Sequence, residues 1–357
     1  MVRINRPLLS DALSNVDCVR GWGNDEWSLL IRQARRANLL SRVADGNFED
    51  VPYKAQQHFI NAKVVAKANA RAARQEVHEI QRLLAEENIP FILLKGAAYL
   101  FANFDFGKSR VYSDVDILVP REKLTSAEAI FIKNGWMTTK LNVYDQKYYR
   151  EWMHELPPLR HIKRQSSLDV HHTIVPPTSI YKLDIDKLWA NCIPVDGLDN
   201  VFVLSNIDML LHSAVHLFSD GDFENGIRDL SDITCMVAEF SKTTEFWQGL
   251  EDRAVELGLI EPLFYALRYA GYFLNLDVPD NVIKKCQTLA RCGRIKLSVM
   301  DMLFKRGLLP KHISCTDSLS STAMFILFIR SHYLRMPLPL LVPHLLRKLF
   351  QQEQVGI

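Results

Sequence analysis

The stretch SDVDILV, residues 113–119, decides the fold because it joins two carboxylates to an apolar run. Its composition and the Pro120 that stops it are typical of a buried strand. Side chains alternate across a strand, so Asp114 and Asp116 are predicted to share one face, roughly 7 Å apart. Two such charges repel each other, and Mg²⁺ or Mn²⁺ is the simplest counter-charge. The alternative is an edge strand whose acids only face solvent.

A turn suited to phosphates lies upstream of this strand. The run PFILL, residues 90–94, is predicted to be a buried strand, and residues 97–102 a short helix. The glycine in the Lys95-Gly96 turn between them permits close backbone approach, and a helix N-terminus offers free N–H groups to an anion. The alternative for this turn is an ordinary strand-to-helix turn. Arg110, just before the Asp pair, could contact phosphates or could lie in a solvated basic loop. The predicted nucleotide-binding residues are Lys95, Gly96, Arg110 and Ser113.

A third carboxylate comes from a later strand. The run SLDVHHTI, residues 167–174, carries Asp169 between apolar residues, and His171 falls on the same face. Three carboxylates from two strands could hold two metal ions for phosphoryl chemistry. His171 is predicted to orient Asp169 or the transferred phosphate, or else to bond a backbone carbonyl. The His154-Glu155 pair is predicted to lie in a loop near the site.

Helical patterns flank this unit on both sides. Residues 53–87 contain no Gly or Pro, and a further helix is predicted to begin at Ser205, with Asp208 in its first turn. At 357 residues the chain is too long for one compact core. We therefore predict an α+β fold, a small mixed-sheet core between helical regions. The predicted divisions are an N-terminal helical region (1–88), an α/β core (89–204) and a C-terminal helical domain (205–357).

Two histidines support a different class of enzyme. His212 and His216 lie four residues apart in a predicted helix and so share a face. With Asp229 or Asp232 they could ligate a metal, as in a helical metal-dependent phosphohydrolase. Otherwise the pair packs beside the α/β unit and bonds the Arg228-Asp229 pair. The predicted accessory residues are His171, His212 and Arg228.

Composition limits the class of protein. Apolar residues at 48% and charged residues at 24% are ordinary for a soluble globular chain. A net charge of +2 does not indicate a general nucleic-acid binder. Six scattered cysteines without a CxxC pair argue against a disulfide framework or zinc ribbon and favour a reducing compartment. We find no secretory signal and no run of ~20 apolar residues, so a cytoplasmic protein without a membrane span is expected.

Read together, these residues resemble the polymerase-beta-type nucleotidyltransferase superfamily. That superfamily has a strand, a Gly-containing turn, a helix, a strand bearing Asp-x-Asp and a later acidic strand. The closer resemblance is to a bacterial family of uncharacterised nucleotidyltransferases. The matching pieces are LKGAA (94–98), RVYSDVD (110–116), Gly135-Trp136, HELP (154–157), DVH (169–171) and a downstream series of Asp208, His212, His216, Arg228-Asp229-Leu230 and Asp232.

The resemblance implies transfer of a nucleoside monophosphate from an NTP, ATP by default, to an acceptor hydroxyl with release of pyrophosphate. It implies Asp114, Asp116 and Asp169 as catalytic metal ligands for Mg²⁺ or Mn²⁺. The turn departs from the superfamily's Gly-Ser or Gly-Gly, so Lys95 or backbone N–H groups must replace the hydroxyl. The acceptor stays open between a small molecule, a sugar, a protein side chain and an RNA end, as does the oligomeric state. A catalytically inactive nucleotide-binding module is a further alternative.

Overall fold

The fold is a mixed sheet embedded in helices, described in a computed structural model for residues 7–46, 48–138, 142–221, 223–242 and 244–343. The predicted α+β class is confirmed. The N-terminal helices are α1 (Leu8–Ser14), α2 (Asn24–Arg36), α3 (Leu40–Ala44) and α4 (Tyr53–Ala85). The long α4 follows the Gly- and Pro-free stretch to within two residues of its predicted end, because nothing in that stretch interrupts the helix.

The centre of the fold follows the predicted strand–turn–helix–strand order. Its elements are β1 (Phe91–Leu94), α5 (Lys95–Phe101), α6 (Asp105–Lys108) and β2 (Asp114–Leu118). All four β1 residues are buried, as are all but the first of β2, so these strands occupy the middle of the sheet. Continuous apolar runs are expected where both sheet faces are covered.

The next segment holds both confirmed and unforeseen elements. It comprises α7 (Leu124–Lys133), β3 (Trp136–Thr138), α8 (Val143–Lys147), a π-helix (Tyr148–Trp152), β4 (Leu159–His161), β5 (Ser167–His171), α9 (Asp186–Trp189), β6 (Ile193–Pro194) and β7 (Val201–Val203). The strand expected over 136–143 is shorter, since α8 begins at Val143; residues 139–141 lie outside the described residues.

The strands run in the order β3-β4-β5-β2-β1-β7-β6. Strand β2 is parallel to β5 and antiparallel to β1, so it has a bonded neighbour on each side. Strand β7 pairs with β1 in parallel, which carries the chain across the sheet and into the C-terminal helices. The register sets Asp116 opposite Asp169, and Asp114 opposite Ser167.

The C-terminal helices pack on one another and share an apolar cluster with the sheet. They are α10 (Asn206–Ser219), α11 (Gly226–Phe240), α12 (Thr244–Glu256), α13 (Ile260–Leu274), α14 (Asp280–Leu289), α15 (Arg294–Gly307) and α16 (Ser320–Arg335). The predicted cap is confirmed, because Ser205 Oγ accepts from the Asp208 N–H at 3.3 Å. One apolar cluster extends from Leu9 to Leu327 through the sheet, so helices and strands share a core.

Two further sequence expectations concern the described residues as a whole. None of the helices in the described ranges is long and apolar enough to span a membrane. None of the six cysteines, all of which lie in the described ranges, forms a disulfide.

Candidate active site

Three aspartates project from one face of the sheet at its centre. Asp116 and Asp169 are register partners on parallel strands β2 and β5, and partners in adjacent strands project to the same side. Asp114, two residues before Asp116 on β2, shares that face. The structure therefore brings together the three carboxylates selected from the sequence.

Two side chains contact the same carboxylate oxygen of Asp116. Lys95 Nζ donates to Asp116 Oδ1 at 2.7 Å, and His171 Nε2 lies 3.1 Å from the same oxygen. Burial opposes ionisation of Asp116, which is 3% exposed, but Lys95 and His171 together hold its pKa below the ordinary value. Burial likewise opposes protonation of His171, yet its hydrogen bond to Asp116 and the charge of Glu155 raise its pKa. In the free protein, the Lys95 ammonium thus neutralises the innermost carboxylate, and His171 contacts the same oxygen.

Lys95 reaches Asp116 from a strained position. Its φ is +47°, in the left-handed region that non-glycine residues seldom adopt, at the junction of β1 and α5. Strain of this kind, of order 1–3 kcal/mol, persists only where the surroundings enforce it and is concentrated at functional sites. The burial of the neighbouring strand and helix supplies that enforcement here.

Asp114 stands at the solvent side of the aspartate face. It accepts a hydrogen bond from Ser113 Oγ at 2.9 Å, and burial, followed by the charge of Asp116, raises its pKa. Both residues border a cavity of about 480 Å³ between α4 and the first residues of β2 and β5. Its polar wall also includes Asn69, Glu76, Arg164, Ser166 and Ser167.

Burial and neighbouring negative charges dominate the surroundings of Asp169. Burial, followed by the charges of Asp116 and Glu155, raises its pKa to about 7. Near neutral pH the free protein therefore holds this carboxyl half protonated. A cation placed among the three carboxylates would favour the ionised form, because opposite charge lowers a carboxyl pKa. The hard oxygen donors of the face fit Mg²⁺ or Mn²⁺.

Gly96 and Arg110 fit together in an unforeseen way. A side chain at Gly96 would overlap the guanidinium of Arg110 and approach the Tyr112 ring to 2.9 Å. Arg110 is itself 8% exposed and donates to Asp232 Oδ2 at 2.9 Å, with Asp229 Oδ1 at 3.7 Å. The absence of a side chain at Gly96 thus leaves room for the guanidinium of Arg110.

Arg110 belongs to a buried ion cluster that also includes a predicted accessory residue. Arg42 of α3 donates to Asp232 Oδ1 at 2.6 Å, and Arg228 donates to Asp229 Oδ1 at 2.8 Å. The cluster, Arg42, Arg110, Arg228, Asp229 and Asp232, links α3, the loop before β2 and α11. Contact of Arg110 or Arg228 with a nucleotide stays a prediction. Both arginines already have carboxylate partners.

His212 lies close to the charged centre without joining it. It is 3% exposed on α10, and burial, followed by the positive charges of Lys95 and His171, lowers its pKa to about 3. Its ring centroid is 6.3 Å from that of His216, whose Nε2 lies 3.3 Å from Asp220 Oδ2. The two imidazoles are therefore neutral neighbours of the site.

The metal centre of a phosphohydrolase is not assembled. Its carboxylates, Asp229 and Asp232, are each held by arginines. Within the described ranges of the chain, the group of His, Cys, Asp and Glu whose ligand atoms all lie within 4.8 Å of one another is His154, Glu155 and His171.

The HELP segment contributes more than the sequence indicated. Glu155 forms an isolated antiparallel bridge with His171, and its Oε2 lies 3.5 Å from His171 Nδ1. The expectation of a loop beside the site is confirmed. The contact between Glu155 and His171 could not be predicted from residue spacing, although the HELP motif had drawn attention to this segment. Asp220, whose pKa burial raises to about 6, was not selected at all.

Comparison with protein families gives a match. The model of a family described as uncharacterised nucleotidyltransferase matches residues 23–275, more than two thirds of the chain. That span includes the three aspartates, Lys95 and the HELP segment. No curated protein and no solved structure matches the chain.

Proposed function

The chain belongs to the uncharacterised nucleotidyltransferase family, and on that premise we propose that it transfers a nucleoside monophosphate from an NTP to an acceptor hydroxyl. ATP is the default donor. The observation that carries the proposal is the pairing of Asp116 with Asp169 on adjacent strands, with Asp114 on the same face. Three carboxylates from two strands suit in-line phosphoryl transfer.

Asp114, Asp116 and Asp169 would hold Mg²⁺ or Mn²⁺. When bound, the ion supplies charge stabilisation to the phosphate oxygens and to the departing pyrophosphate. Lys95 keeps Asp116 neutralised in the free protein, at 2.7 Å. In the loaded protein we propose that this ammonium turns to the triphosphate and leaves Asp116 free to ligate. His171 remains on Asp116 and fixes its orientation.

The acceptor hydroxyl attacks the α-phosphorus, the bond from that phosphorus to the bridging oxygen breaks, and pyrophosphate leaves. Asp169 is either a ligand of a second ion or the base that receives the hydroxyl proton. The second role requires the ionised carboxylate, which a bound cation favours by lowering the carboxyl pKa. Alignment of the two substrates supplies much of the rate.

We assign the acceptor to the cavity of about 480 Å³ beside Asp114, a volume that suits a small polar molecule or the tip of a larger one. Ser113 and Asp114 lie on its rim, and the Glu76–Arg164 ion pair, with its closest contact at 2.6 Å, braces the opposite wall. Small molecules, sugars, protein side chains and RNA ends are all acceptor classes to be screened.

The test follows α-phosphate label from each of the four NTPs into acceptors of a cell lysate, alongside free phosphate release. Asp114→Ala and Asp116→Ala should each lower transfer by about 1,000-fold. Asp105→Ala, which removes an exposed carboxylate 94% open to solvent, is the matched control and should transfer normally. Wild-type transfer by both active-site variants would refute the proposal. Nucleotide binding without any transfer would identify an inactive binding module instead.

A further inference from the structure

A second group of metal-ligand types lies beside the aspartates. His154, Glu155 and His171 each offer one ligand atom, and these atoms lie within 4.8 Å of one another. The backbone fixes all three, since the Glu155–His171 bridge adjoins a hydrogen bond from the His172 N–H to the His154 carbonyl at 2.9 Å. The group is therefore held by sheet-like pairing.

Two buried nitrogens in this group have no hydrogen-bond partner. His154 is 6% and His171 1% exposed, and the Nδ1 atom of each lacks a hydrogen bond. A buried polar atom left without a hydrogen bond destabilises the fold, so such atoms call for an explanation. The Nδ1 atom of His171 lies 3.5 Å from Glu155 Oε2. That separation is long for a hydrogen bond and close to the ~3.3 Å between two ligands that share one tetrahedral ion.

His171 also has the outer partner of a metal ligand. Its Nε2 faces Asp116 Oδ1 at 3.1 Å, which fixes the ring and leaves Nδ1 for a cation. We propose that His154, Glu155 and His171 bind a first-row transition-metal cation of the zinc type, separate from the ion of the aspartates. Two imidazoles and one carboxylate are a zinc donor set, whereas Mg²⁺ prefers oxygen ligands.

The burial of His154 agrees with this assignment. Burial lowers the pKa of His154, so that its imidazole is neutral and able to ligate, and ligation by His171 displaces any proton from its Nδ1 atom. The side chain of Glu155 is 17% exposed, which gives the site contact with solvent. The two rings are stacked at 26°, so binding turns one imidazole toward the ion. The bound cation would tie residues 154–155 to β5 and orient His171 on Asp116.

The test uses Zn²⁺ alone, without nucleotide, on the full-length protein after chelator treatment. We expect one tightly bound Zn²⁺ per chain, measured by competition with a chromophoric chelator, and a visible absorption band when Co²⁺ replaces it. Millimolar Mg²⁺ should not displace the ion. Because no NTP is present, failure of the proposed nucleotide transfer would leave this result unchanged.

The variants His154→Gln and Glu155→Gln should each weaken Zn²⁺ binding by about 100-fold or more, and Zn²⁺ should no longer raise their melting temperature. His172→Gln is the matched control, since it alters an adjacent buried histidine outside the group and should bind Zn²⁺ like the wild type. Using two separate ligand variants guards against one that fails to fold. Absence of Zn²⁺ binding by the wild type, or equal binding by all three variants, would overturn the assignment.

Discussion

The ammonium of Lys95 lies 2.7 Å from Asp116 Oδ1, so a lysine already sits on the carboxylate that a catalytic cation would need. A fixed positive charge at this distance competes with a metal ion for the same oxygen. The proposed mechanism therefore couples metal entry to movement of one side chain. This competition leads to a direct test.

The first prediction concerns Lys95→Met. Removing the ammonium should raise the affinity for Mn²⁺ in the absence of nucleotide by roughly tenfold, equivalent to about 1.4 kcal/mol. The affinity for NTP should fall, because the triphosphate loses its cationic partner. Titration calorimetry measures both constants. Lys108→Met, at a lysine 62% exposed, should change neither. Unchanged Mn²⁺ affinity in Lys95→Met would argue against competition for Asp116.

The second prediction follows from Asp169, whose pKa burial and then Asp116 raise to about 7. Binding of a divalent cation with a non-hydrolysable NTP should expel its proton, about half a proton per chain at pH 7 and almost none at pH 8.5. Calorimetry in buffers of different ionisation enthalpy counts the protons. In Asp169→Asn the release should vanish. Equal release at both pH values would assign the proton to another group.

The same carboxyl gives the metal-free protein a pH-dependent stability. Its folded pKa lies above the ordinary ~3.9, so its stabilising contribution is complete below about pH 4 and is lost as the pH rises through about 7. Urea unfolding at pH 6 and pH 8 should show the loss. Asp169→Asn should flatten this part of the profile, and a profile that keeps its slope in that variant would exclude Asp169 as the cause.

The third prediction is Gly96→Ala, where the new methyl group would overlap Arg110 and crowd Tyr112. Overpacking of this kind should lower the free energy of unfolding by about 1–3 kcal/mol. Gly293→Ala is the matched control, since the space around Gly293 is open. It should cost less than about 1 kcal/mol. Equal effects in chemical denaturation would mean that Arg110 moves aside freely.

The fourth prediction separates buried from exposed ion pairs. Asp232→Asn leaves Arg42 and Arg110 without their shared carboxylate and should cost about 3–5 kcal/mol. Glu128→Gln, which breaks the half-exposed pair with Arg150, should cost about 1 kcal/mol or less. Urea denaturation of the two variants compares them. Near-equal costs would mean that water reaches the buried cluster.

Local patterns predicted the central elements because local forces determine them. Strands β1, β2 and β5 follow apolar runs, and the two-residue period of a strand puts Asp114 and Asp116 on one face. The partner of Arg110 was missed, since Asp232 lies 122 residues further along the chain and only tertiary packing brings it near. Strands β6 and β7 were also missed, because each is too short to carry a period.

The ion cluster of Arg42, Arg110 and Asp232 has a consequence for how this enzyme family could be rearranged by recombination. The sheet that carries the three aspartates is not a self-contained unit. Excising residues 89–204 would separate Arg110, which packs over Gly96, from its carboxylate partners Asp229 and Asp232. A graft of this site onto another scaffold would have to carry α3 and α11 with it. A recombined protein that keeps this aspartate site would therefore also have to keep helices α3 and α11.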